Sequence, residues 1–353
     1  MNDSTHQHAS DNATDKAPKI EHTGASNAAS DAYASNVKVG QNAGADTASK
    51  VLPAGKIDEH GISFGSADAG SSSGKSGGDG VQSSKNADGS RVDSSTSADG
   101  TKNSNRFDAD GNKTDSETKR PDGSSINKHF EKDGSSNTNV FDAQGNRVQS
   151  ESKKADGSSD NSTYDKDGTR HTNHFDGKGD MTNSEVARPD GSSVNSSYEK
   201  DGSRNTNVFD SQGNRVQSES KKADGSSDNS TYGKDGTRNT NHFDSNGDMT
   251  NSEVARPDGS SVNTSYGKDG SSNANVFDGQ GNRVQSESKK ADGSSDNSTY
   301  DNDGTRHTNH FDKDGFRANS ELARPDGSSE NTSYDRDGGS QTRRFNANGQ
   351  LQN

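Results

Sequence analysis

Apolar residues are sparse along this chain and fall between regularly spaced turn signals. From Gly89 to Gly349, 24 glycines follow one another at repeating 11-, 11- and 12-residue intervals. Each glycine closes a turn-like tetrapeptide such as Asp165–Gly168, in which an acidic or amide residue precedes the glycine in most repeats. Such tetrapeptides favour a type I turn followed by a glycine in the left-handed region, a common hairpin loop. The segments between turns are therefore predicted to be β-strands.

The spacing has a second level. Glycines of one class recur at a 34-residue interval, as from Gly111 to Gly145. The strings Arg-Pro-Asp-Gly and Lys-Lys-Ala-Asp-Gly each recur at twice this interval, as from Arg120 to Arg188. Three strands in each 34-residue unit explain the doubling, because an odd number of strands in a meander reverses the chain direction after every unit. Equivalent surroundings then return only after two units, so the sequence predicts a 68-residue repeat of six strands.

The hairpin register can be tested within the sequence, because it predicts which residues face each other across a loop. With Asp165–Gly168 as the loop, Asp160 pairs with His174. In seven successive units this pair is either apolar on both sides or oppositely charged, as direct cross-strand contact requires. The seven pairs are Ile126/Val140, Asp160/His174, Val194/Val208, Asp228/His242, Val262/Val276, Asp296/His310 and Glu330/Arg344.

These pairs predict an all-β fold, a repetitive antiparallel meander of about 23 short strands over residues 86–350. Val194 is expected to contact Val208 on one side and Val186 on the other. The alternative is a β-solenoid with one 34-residue unit per coil, which would stack Val140 on His174 and bring Phe141 onto Phe175. The complementary pairs favour the meander, because the solenoid leaves the apolar and charged residues mismatched.

If the register continues from strand to strand without interruption, two rows of side chains are predicted on one face of the sheet. One row is apolar, with arginines beside tyrosines, and the parallel row consists of serines and threonines. Guanidinium groups stacked on the rings would add stability. Hydroxyls spaced by about 4.8 Å could bind ice or a polysaccharide, which is the alternative function. The candidate binding surface on this face consists of Thr172, Thr206, Thr240, Tyr164, Tyr232, Arg170 and Arg238.

Composition limits the thickness of the fold. Leu, Ile, Val and Phe number 33 of 353 residues, and tryptophan is absent. This content is below the level of about 20% at which disorder becomes the usual prediction, so only a thin repetitive sheet is expected. Residues 1–85 lack the glycine spacing and are rich in Ser, Ala, Asn, Asp and Gly. They are predicted to be a disordered polar segment preceding the repeat array.

Several classes of compartment and partner are disfavoured by the sequence. The chain has no cysteine, so disulfides and thiolate metal sites are excluded. Its start shows no basic segment followed by an apolar one, and no span is apolar enough for a membrane helix. The net charge of −14 argues against nucleic acid. A polar, serine-rich amino end suits export without a cleaved signal, for example by type III secretion, and a cytoplasmic location is the alternative.

The aromatic turns resemble a known repeat. The segments 141–147 (Phe-Asp-Ala-Gln-Gly-Asn-Arg) and 164–170 (Tyr-Asp-Lys-Asp-Gly-Thr-Arg) are similar to the YD repeat of the Rhs and teneurin families. The similarity covers roughly residues 86 to 350. It implies antiparallel strands of a shell that can enclose a toxin and contact carbohydrate, although the strands here are more polar and the array is shorter. The glycine-rich, acidic, cysteine-free composition also resembles harpin-type secreted proteins.

Residues that could perform chemistry are few. Asp165 and Asp167 form half of a calcium-loop pattern, but the glycine and glutamate positions of an EF-hand are missing. His171 and His174 lie three apart, which on a strand places them on opposite faces. Neither a nucleophile with its base nor a phosphate loop is recognised, so catalytic, metal and cofactor residues are all predicted to be none. The predicted function is a non-enzymatic exported or surface-associated bacterial protein that binds a protein or carbohydrate surface. Self-association through a sheet face or edge is also predicted.

Overall fold

The computed structural model describes residues 80–352, and this part of the chain is all β, with no helix. It confirms the repetitive antiparallel meander and contradicts the solenoid. There are 25 strands in the described range: β1 (Gln82–Lys85), β2 (Arg91–Thr96), β3 (Lys102–Phe107), β4 (Lys113–Lys119), β5 (Ser125–Phe130), β6 (Ser136–Phe141), β7 (Arg147–Lys153), β8 (Ser159–Tyr164), β9 (Arg170–Phe175), β10 (Met181–Ala187), β11 (Ser193–Tyr198), β12 (Arg204–Phe209), β13 (Arg215–Lys221), β14 (Ser227–Tyr232), β15 (Arg238–Phe243), β16 (Met249–Ala255), β17 (Ser261–Tyr266), β18 (Ser272–Phe277), β19 (Arg283–Lys289), β20 (Ser295–Tyr300), β21 (Arg306–Phe311), β22 (Arg317–Ala323), β23 (Ser329–Tyr334), β24 (Ser340–Phe345) and β25 (Leu351–Gln352).

The described chain divides into two units. The amino-terminal unit comprises residues 80–234 and 242–248, and the carboxy-terminal unit comprises residues 235–241 and 249–352. Within each unit, consecutive strands pair antiparallel in chain order. The array includes β1 and β25, which lie just beyond the predicted limits of 86 and 350. The segment predicted to be disordered is residues 1–85, and residues 1–79 of it lie outside the described range.

The loops have the predicted hairpin geometry. In the loop after β8, the Asp165 amide donates to the Thr169 carbonyl at 2.8 Å, and the Gly168 amide donates to the Asp165 carbonyl at 3.0 Å. Gly168 has a φ of +89°, a conformation that costs a side-chain-bearing residue about 1–2 kcal/mol. The Asp167 carboxylate accepts from the Thr169 amide at 2.8 Å, and this hydrogen bond is the main reason that the pKa of Asp167 is lowered.

Two glycines with the same backbone conformation provide a test of how tightly neighbouring loops pack. Gly191 and Gly202 both have a φ of +88°. A Cβ added at Gly191 would lie 3.1 Å from the Ser211 carbonyl oxygen, whereas one at Gly202 would meet nothing within 4 Å. We expect Gly202→Ala to lower the free energy of unfolding of its hairpin by about 1 kcal/mol, the cost of the left-handed backbone alone. Gly191→Ala should cost more, and hydrogen exchange of the flanking strands measures both; equal costs would contradict the close loop packing.

A β-bulge follows six of the Phe-Asp turns, those at Phe107, Phe141, Phe175, Phe209, Phe277 and Phe311. The strands that follow the Phe-Asp turns have seven residues, and their neighbours have six. Between β9 and β10, Phe175 pairs with Met181 and the adjacent His174 pairs with Asn183, so Thr182 has no partner in the ladder. The Thr182 hydroxyl donates to the His174 carbonyl at 3.3 Å, which gives this carbonyl a partner at the irregularity. The extra residue of the longer strand is therefore accommodated in a bulge.

The bulge decides which residues share a face. If the seventh residue were paired, positions 34 apart would lie on the same face. Because it is excluded, positions 34 apart lie on opposite faces, and only positions 68 apart share one. The apolar and charged hairpin pairs, which alternate along the sequence, therefore separate onto two unlike faces within each unit.

The two faces are named from the rows that cross them. The valine face of the amino-terminal unit carries the cross-strand row Thr118, Ile126, Val140, Gln149, Thr163, His171, Val186, Val194, Val208, Gln217 and Thr231. The histidine face carries the row Asp115, His129, Asn137, Ser152, Asp160, His174, Asn183, Ser197, Asn205, Ser220 and Asp228. The carboxy-terminal unit has the same two kinds of row, one containing Val254, Val262 and Val276 and the other Ser288, Asp296 and His310.

The predicted hairpin pairs are confirmed, but the predicted continuous stripe is wrong. Val194 pairs with Val208 and with Val186, as expected. Arg170 pairs with Ala187 and not with Val186, which pairs with His171. The predicted stripe requires the hairpin register to continue unchanged through the seven-residue strands, whereas the bulge displaces the partner by one residue.

Candidate binding surface

Asp–His pairs cross the histidine face at regular intervals. The Nδ1 atom of His174 lies 2.6 Å from the Asp160 carboxylate, and the same distance separates His242 from Asp228 and His310 from Asp296. His129 and Asp115 make a similar contact at 2.8 Å between β4 and β5, outside the 68-residue series of the other three pairs. These side chains are part-exposed, so the pairs mark a charged, solvated face.

The contacts of His129 determine the direction in which its pKa is shifted. Hydrogen bonding to Asp115, and secondarily to Glu131, raises the pKa of His129. A raised folded-state pKa stabilises the fold fully below the unfolded value of about 6.5, and this contribution is lost as the pH rises through the folded pKa. We expect an NMR titration to place the His129 pKa above that of an unstructured peptide. Asp115→Asn should lower it, and an unchanged pKa in this variant would contradict the assigned cause.

Shallow depressions repeat on the histidine face. One is lined by Glu185, Asn195 and Asn207 in the middle of the strands, with His174, Asn183, Ser197 and Asn205 beside them, and has a cavity volume of 490 Å³. A second, of 280 Å³, lies at the equivalent residues Glu117, Asn127 and Asn139 of the same unit. The carboxy-terminal unit has a third at Glu321, Asn331 and Arg343. Amides, carboxylates and hydroxyls supply both donors and acceptors there.

The tyrosines are fixed by contacts from an earlier strand. The Tyr164 hydroxyl lies 3.2 Å from the Ser150 hydroxyl, and the Arg147 guanidinium lies 4.4 Å from the centre of the Tyr164 ring. Tyr232 has the same two partners one repeat later, Ser218 at 3.1 Å and Arg215 at 4.3 Å. The guanidinium stacking expected from the sequence is therefore present, but the stacked residues are Arg147 and Arg215, which follow Phe-Asp turns, and not the predicted Arg170 and Arg238.

The arginines of the predicted site have different partners. Arg170 pairs across the strands with Tyr164, but its guanidinium donates to Glu185 at 3.0 Å. Arg238 donates to Glu253 at 3.4 Å in the carboxy-terminal unit. Both arginines thus belong to cross-strand ion pairs that hold the central glutamates, and the prediction that they stack on tyrosines is corrected accordingly.

The predicted threonine row is divided between the two faces. Ser150, Ser162 and Thr172 are neighbours on the histidine face, where Glu185 continues the row. Thr206 lies on the valine face with Ser184 and Ser196. Thr172 and Thr240 are buried, with 5% and 8% of their surface exposed. Thr240 lies in β15 of the carboxy-terminal unit. Of the predicted surface, Tyr164, Tyr232, Arg170 and Thr172 share one face, and Thr206 does not.

Sequence reasoning missed the residues of the depressions. Glu185, Asn195 and Asn207 are neighbours through hairpin pairs alone, but His174 joins them on the same face only because of the bulge in β10. The signal was present in the glycine spacing, because the 12-residue interval gives one strand an extra residue between loops of equal length. An extra residue on one side of an antiparallel pair is the defining feature of a bulge.

The described residues contain no group of three or more metal-ligating side chains that could hold an ion. His171 and His174 point to opposite faces and contact different aspartates, Asp165 at 3.0 Å and Asp160 at 2.6 Å. Within residues 80–352 no helix is long and apolar enough to cross a membrane.

No protein-family model matches the chain, and no curated protein matches it significantly.

Proposed function

We propose that this chain is a non-enzymatic binding protein that uses the histidine face as an extended, repetitive surface. The observation that carries the proposal is the recurrence of one depression at equivalent positions of the 68-residue repeat, at Glu117, Glu185 and Glu321. Repeated weak sites on one chain raise the overall affinity for a repetitive or multivalent partner, because later contacts form at high effective concentration.

The electrostatics of the depressions favour a polar partner. Glu185 is the carboxylate that lines this depression, and its ion pair with Arg170 offsets its charge locally. A partner that offers hydroxyls or amides can exchange hydrogen bonds with Asn195, Ser197 and Asn205 without having to neutralise a net charge. The proposed partner is therefore an uncharged polar region of a protein or carbohydrate surface.

The Asp–His pairs do not make a catalytic site more plausible. In a serine hydrolase triad the aspartate holds the Nδ1 side of the histidine, and the nucleophilic hydroxyl lies within hydrogen-bond reach of Nε2. His174 has the first contact, with Asp160 at 2.6 Å. In the described part of the chain, no hydroxyl is hydrogen-bonded to its Nε2 atom. This geometry supports the non-enzymatic proposal.

The alternative of an ice- or polysaccharide-binding hydroxyl lattice receives less support. The hydroxyls occur in groups of three strands that alternate between the faces, and they bond to each other, Ser162 with Thr172 at 2.8 Å and Ser196 with Thr206 at 3.0 Å. A long row of hydroxyls on one face, on which that function would depend, is interrupted by glutamate and asparagine.

Binding can be tested with the labelled full chain on bacterial and eukaryotic cells, before and after protease or periodate treatment. Loss of binding after protease identifies a protein partner, and loss after periodate identifies a carbohydrate. Glu185→Ala with Asn195→Ala should weaken binding severalfold. The matched pair Glu219→Ala with Asn229→Ala, at the equivalent positions of the next 34-residue unit and on the valine face, should not. No binding to any cell, or equal effects of both pairs, would refute the proposal.

The proposed setting is bacterial export or surface association, for example through a type III apparatus, with the YD-like turns as repeat units. Its support is the polar amino-terminal sequence and the resemblance of the aromatic turns, whose segments at Asp142 and Asp165 form hairpin loops in the structure. Residues 1–85 fused to a reporter should be secreted by a strain with a working type III apparatus and retained by a strain without one. Retention of the reporter by both strains would remove this part of the proposal.

A further inference from the structure

A glutamate occupies the fifth position of each seven-residue strand that follows a Phe-Asp turn. These glutamates are Glu117, Glu151, Glu185, Glu219, Glu253, Glu287 and Glu321. Five of them form an ion pair with a basic side chain of the same chain, at 2.9–3.4 Å. The carboxylates of Glu151 and Glu287 make no hydrogen bond or ion pair with any side chain of residues 80–352. These two carboxylates therefore lack the counter-charge that the repeat provides elsewhere.

The reason lies at one position of the repeat. Arg204, the first residue of β12, donates to Glu219 at 2.9 Å. The equivalent first residues of β6 and β18, the strands before those of Glu151 and Glu287, are Ser136 and Ser272. A serine side chain is short and uncharged, so it does not replace the guanidinium.

Glu151 and Glu219 otherwise have the same surroundings on the valine face. Their matching neighbours are Gln149/Gln217, Lys153/Lys221, Thr138/Thr206, Asn161/Asn229, Val140/Val208, Ser159/Ser227 and Thr163/Thr231. Within the described residues, neither lysine of this set forms an ion pair with the glutamate beside it. The difference between Ser136 and Arg204 therefore decides whether the carboxylate is paired, and Arg204 shows which chemical group fits beside it.

Two buried oxygens flank the Glu151 carboxylate. Thr138 and Asn161 are the cross-strand partners of Glu151 on its two sides. The Thr138 hydroxyl oxygen and the Asn161 side-chain oxygen are buried and have no hydrogen-bond partner in the described chain, and Thr138 is only 4% exposed. At Glu219 the equivalent hydroxyl, that of Thr206, is bonded to Ser196. Buried acceptors without a partner are costly, so a group that donates hydrogen bonds is favoured beside Glu151.

The carboxy-terminal unit has a simpler version of the same site. Asn297 is a cross-strand partner of Glu287, is 8% exposed, and its side-chain oxygen is buried without a hydrogen-bond partner among the described residues. Ala274 stands in the place of the threonine. The side-chain oxygen of Asn229, beside the paired Glu219, is also unpartnered. The asparagine is therefore common to both kinds of position, and the unpaired carboxylate distinguishes them.

Arg204 also shows that such a position can be reached from solvent. In its ion pair the Arg204 side chain is 31% exposed and that of Glu219 is 25% exposed. An external guanidinium can therefore reach the equivalent place beside Glu151. Its planar fork of five N–H donors matches a carboxylate and has donors left for neighbouring oxygens, which the compact ammonium of lysine does not match in geometry. The net charge of −14 attracts basic partners to the chain.

We propose that Glu151 and Glu287 each bind an arginine side chain of a partner protein. The partner's guanidinium takes beside Glu151 the part that Arg204 takes beside Glu219. This inference goes beyond the proposed function and does not depend on it, because both glutamates lie on the valine face and the proposed polar surface is the histidine face. Each site is complete within its own unit.

Carboxyl resonances test the sites one by one in the full chain. The chain is labelled with ¹³C at the glutamate side-chain carboxyls and titrated with acetyl-arginine amide, and Glu151→Gln and Glu287→Gln assign the two signals. We expect Glu151 and Glu287 to shift and Glu219 to stay in place. Acetyl-lysine amide should bind at least several-fold more weakly. Equal shifts with sodium chloride at the same ionic strength, equal binding of the lysine compound, or an equal response of Glu219 would overturn the proposal.

Exchanging the residues that distinguish the two positions gives a reciprocal test. Ser136→Arg should weaken the response of Glu151 at least about tenfold, and Arg204→Ser should create a response at Glu219. Ser152→Arg is the control, because it adds the same charge next to Glu151 in β7 but on the histidine face. It should leave the response of Glu151 unchanged.

Circular dichroism checks that the variants retain their strands. Arg204→Ser only shortens a side chain, so it keeps the test decisive if Ser136→Arg does not fold. The proposal is wrong if Glu219 stays unresponsive in Arg204→Ser, or if a folded Ser136→Arg chain responds normally at Glu151. Equal weakening by Ser152→Arg would also overturn it, because general charge repulsion would then explain the effect.

Discussion

Deletion of Ser196 should open the hairpins around β11, whereas deletion of Thr182 should leave them closed. Ser196 is paired on both sides, with Ser184 and Thr206, in a six-residue strand. Its loss forces a one-residue slip on at least one side, and such a slip moves every following side chain to the other face. Thr182 is outside the ladder, so the remaining residues can keep their partners without it.

Hydrogen exchange measures both deletions strand by strand. We expect the Ser196 deletion to bring the local opening free energy of β10 to β12 close to zero. The Thr182 deletion should change it by no more than about 1 kcal/mol, mainly through the hydroxyl contact with the His174 carbonyl. If the two deletions were equally disruptive, Thr182 would have to be a paired residue and the bulge would be wrong.

A carboxylate placed in the row of valines should strongly lower the local free energy of unfolding, and a histidine placed opposite it should restore part of the loss. Val194→Asp puts a carboxylate between Val186 and Val208. We expect it to lower the local free energy of unfolding by about 1–2 kcal/mol, because it removes two apolar cross-strand contacts and a strand-favouring side chain. Hydrogen exchange is the measurement.

Adding Val208→His to this variant should recover about 0.5–1 kcal/mol at pH 6, where the histidine is largely protonated. The recovery is expected because the new pair reproduces Asp160 and His174, whose atoms lie 2.6 Å apart. Val208→His alone is the control and should destabilise. The losses should stay within the neighbouring hairpins, since each strand contacts only its neighbours. Simultaneous loss of protection throughout the array would contradict this local behaviour.

The strand positions and the hairpin partners could be predicted from the sequence because both are determined locally. The loop glycines fix the turn geometry, and a loop of constant length fixes the pairs on either side of it, such as Val194 with Val208. Compensation between Asp160 and His174 supported the register without any structure. The turn chemistry and the pair chemistry agreed with each other at every repeat.

The distribution of residues between the faces could not be predicted by the same reasoning. It depends on whether the seventh residue of strands such as β10 is paired or excluded, and either choice leaves all the hairpin pairs unchanged. The difference is visible in the partners between β9 and β10, where Arg170, for example, pairs with Ala187 and not with Val186. One residue of register decided whether Thr172 and Thr206 form a common surface, and whether His174 lies on the same face as Glu185.

The bulge separates the valine face from the histidine face, and cross-strand disulfides test this separation most directly. The chain has no cysteine of its own, and cross-strand Cα atoms lie within the range that a disulfide spans. We expect His171→Cys with Val186→Cys to oxidise to an intramolecular disulfide, because these residues are partners, and Arg170→Cys with Val186→Cys to stay reduced under the same conditions. Efficient oxidation of the second pair and not the first would show a ladder without the bulge. Val186, Val194 and Val208 would then lie on the same face as Tyr164 and Thr172.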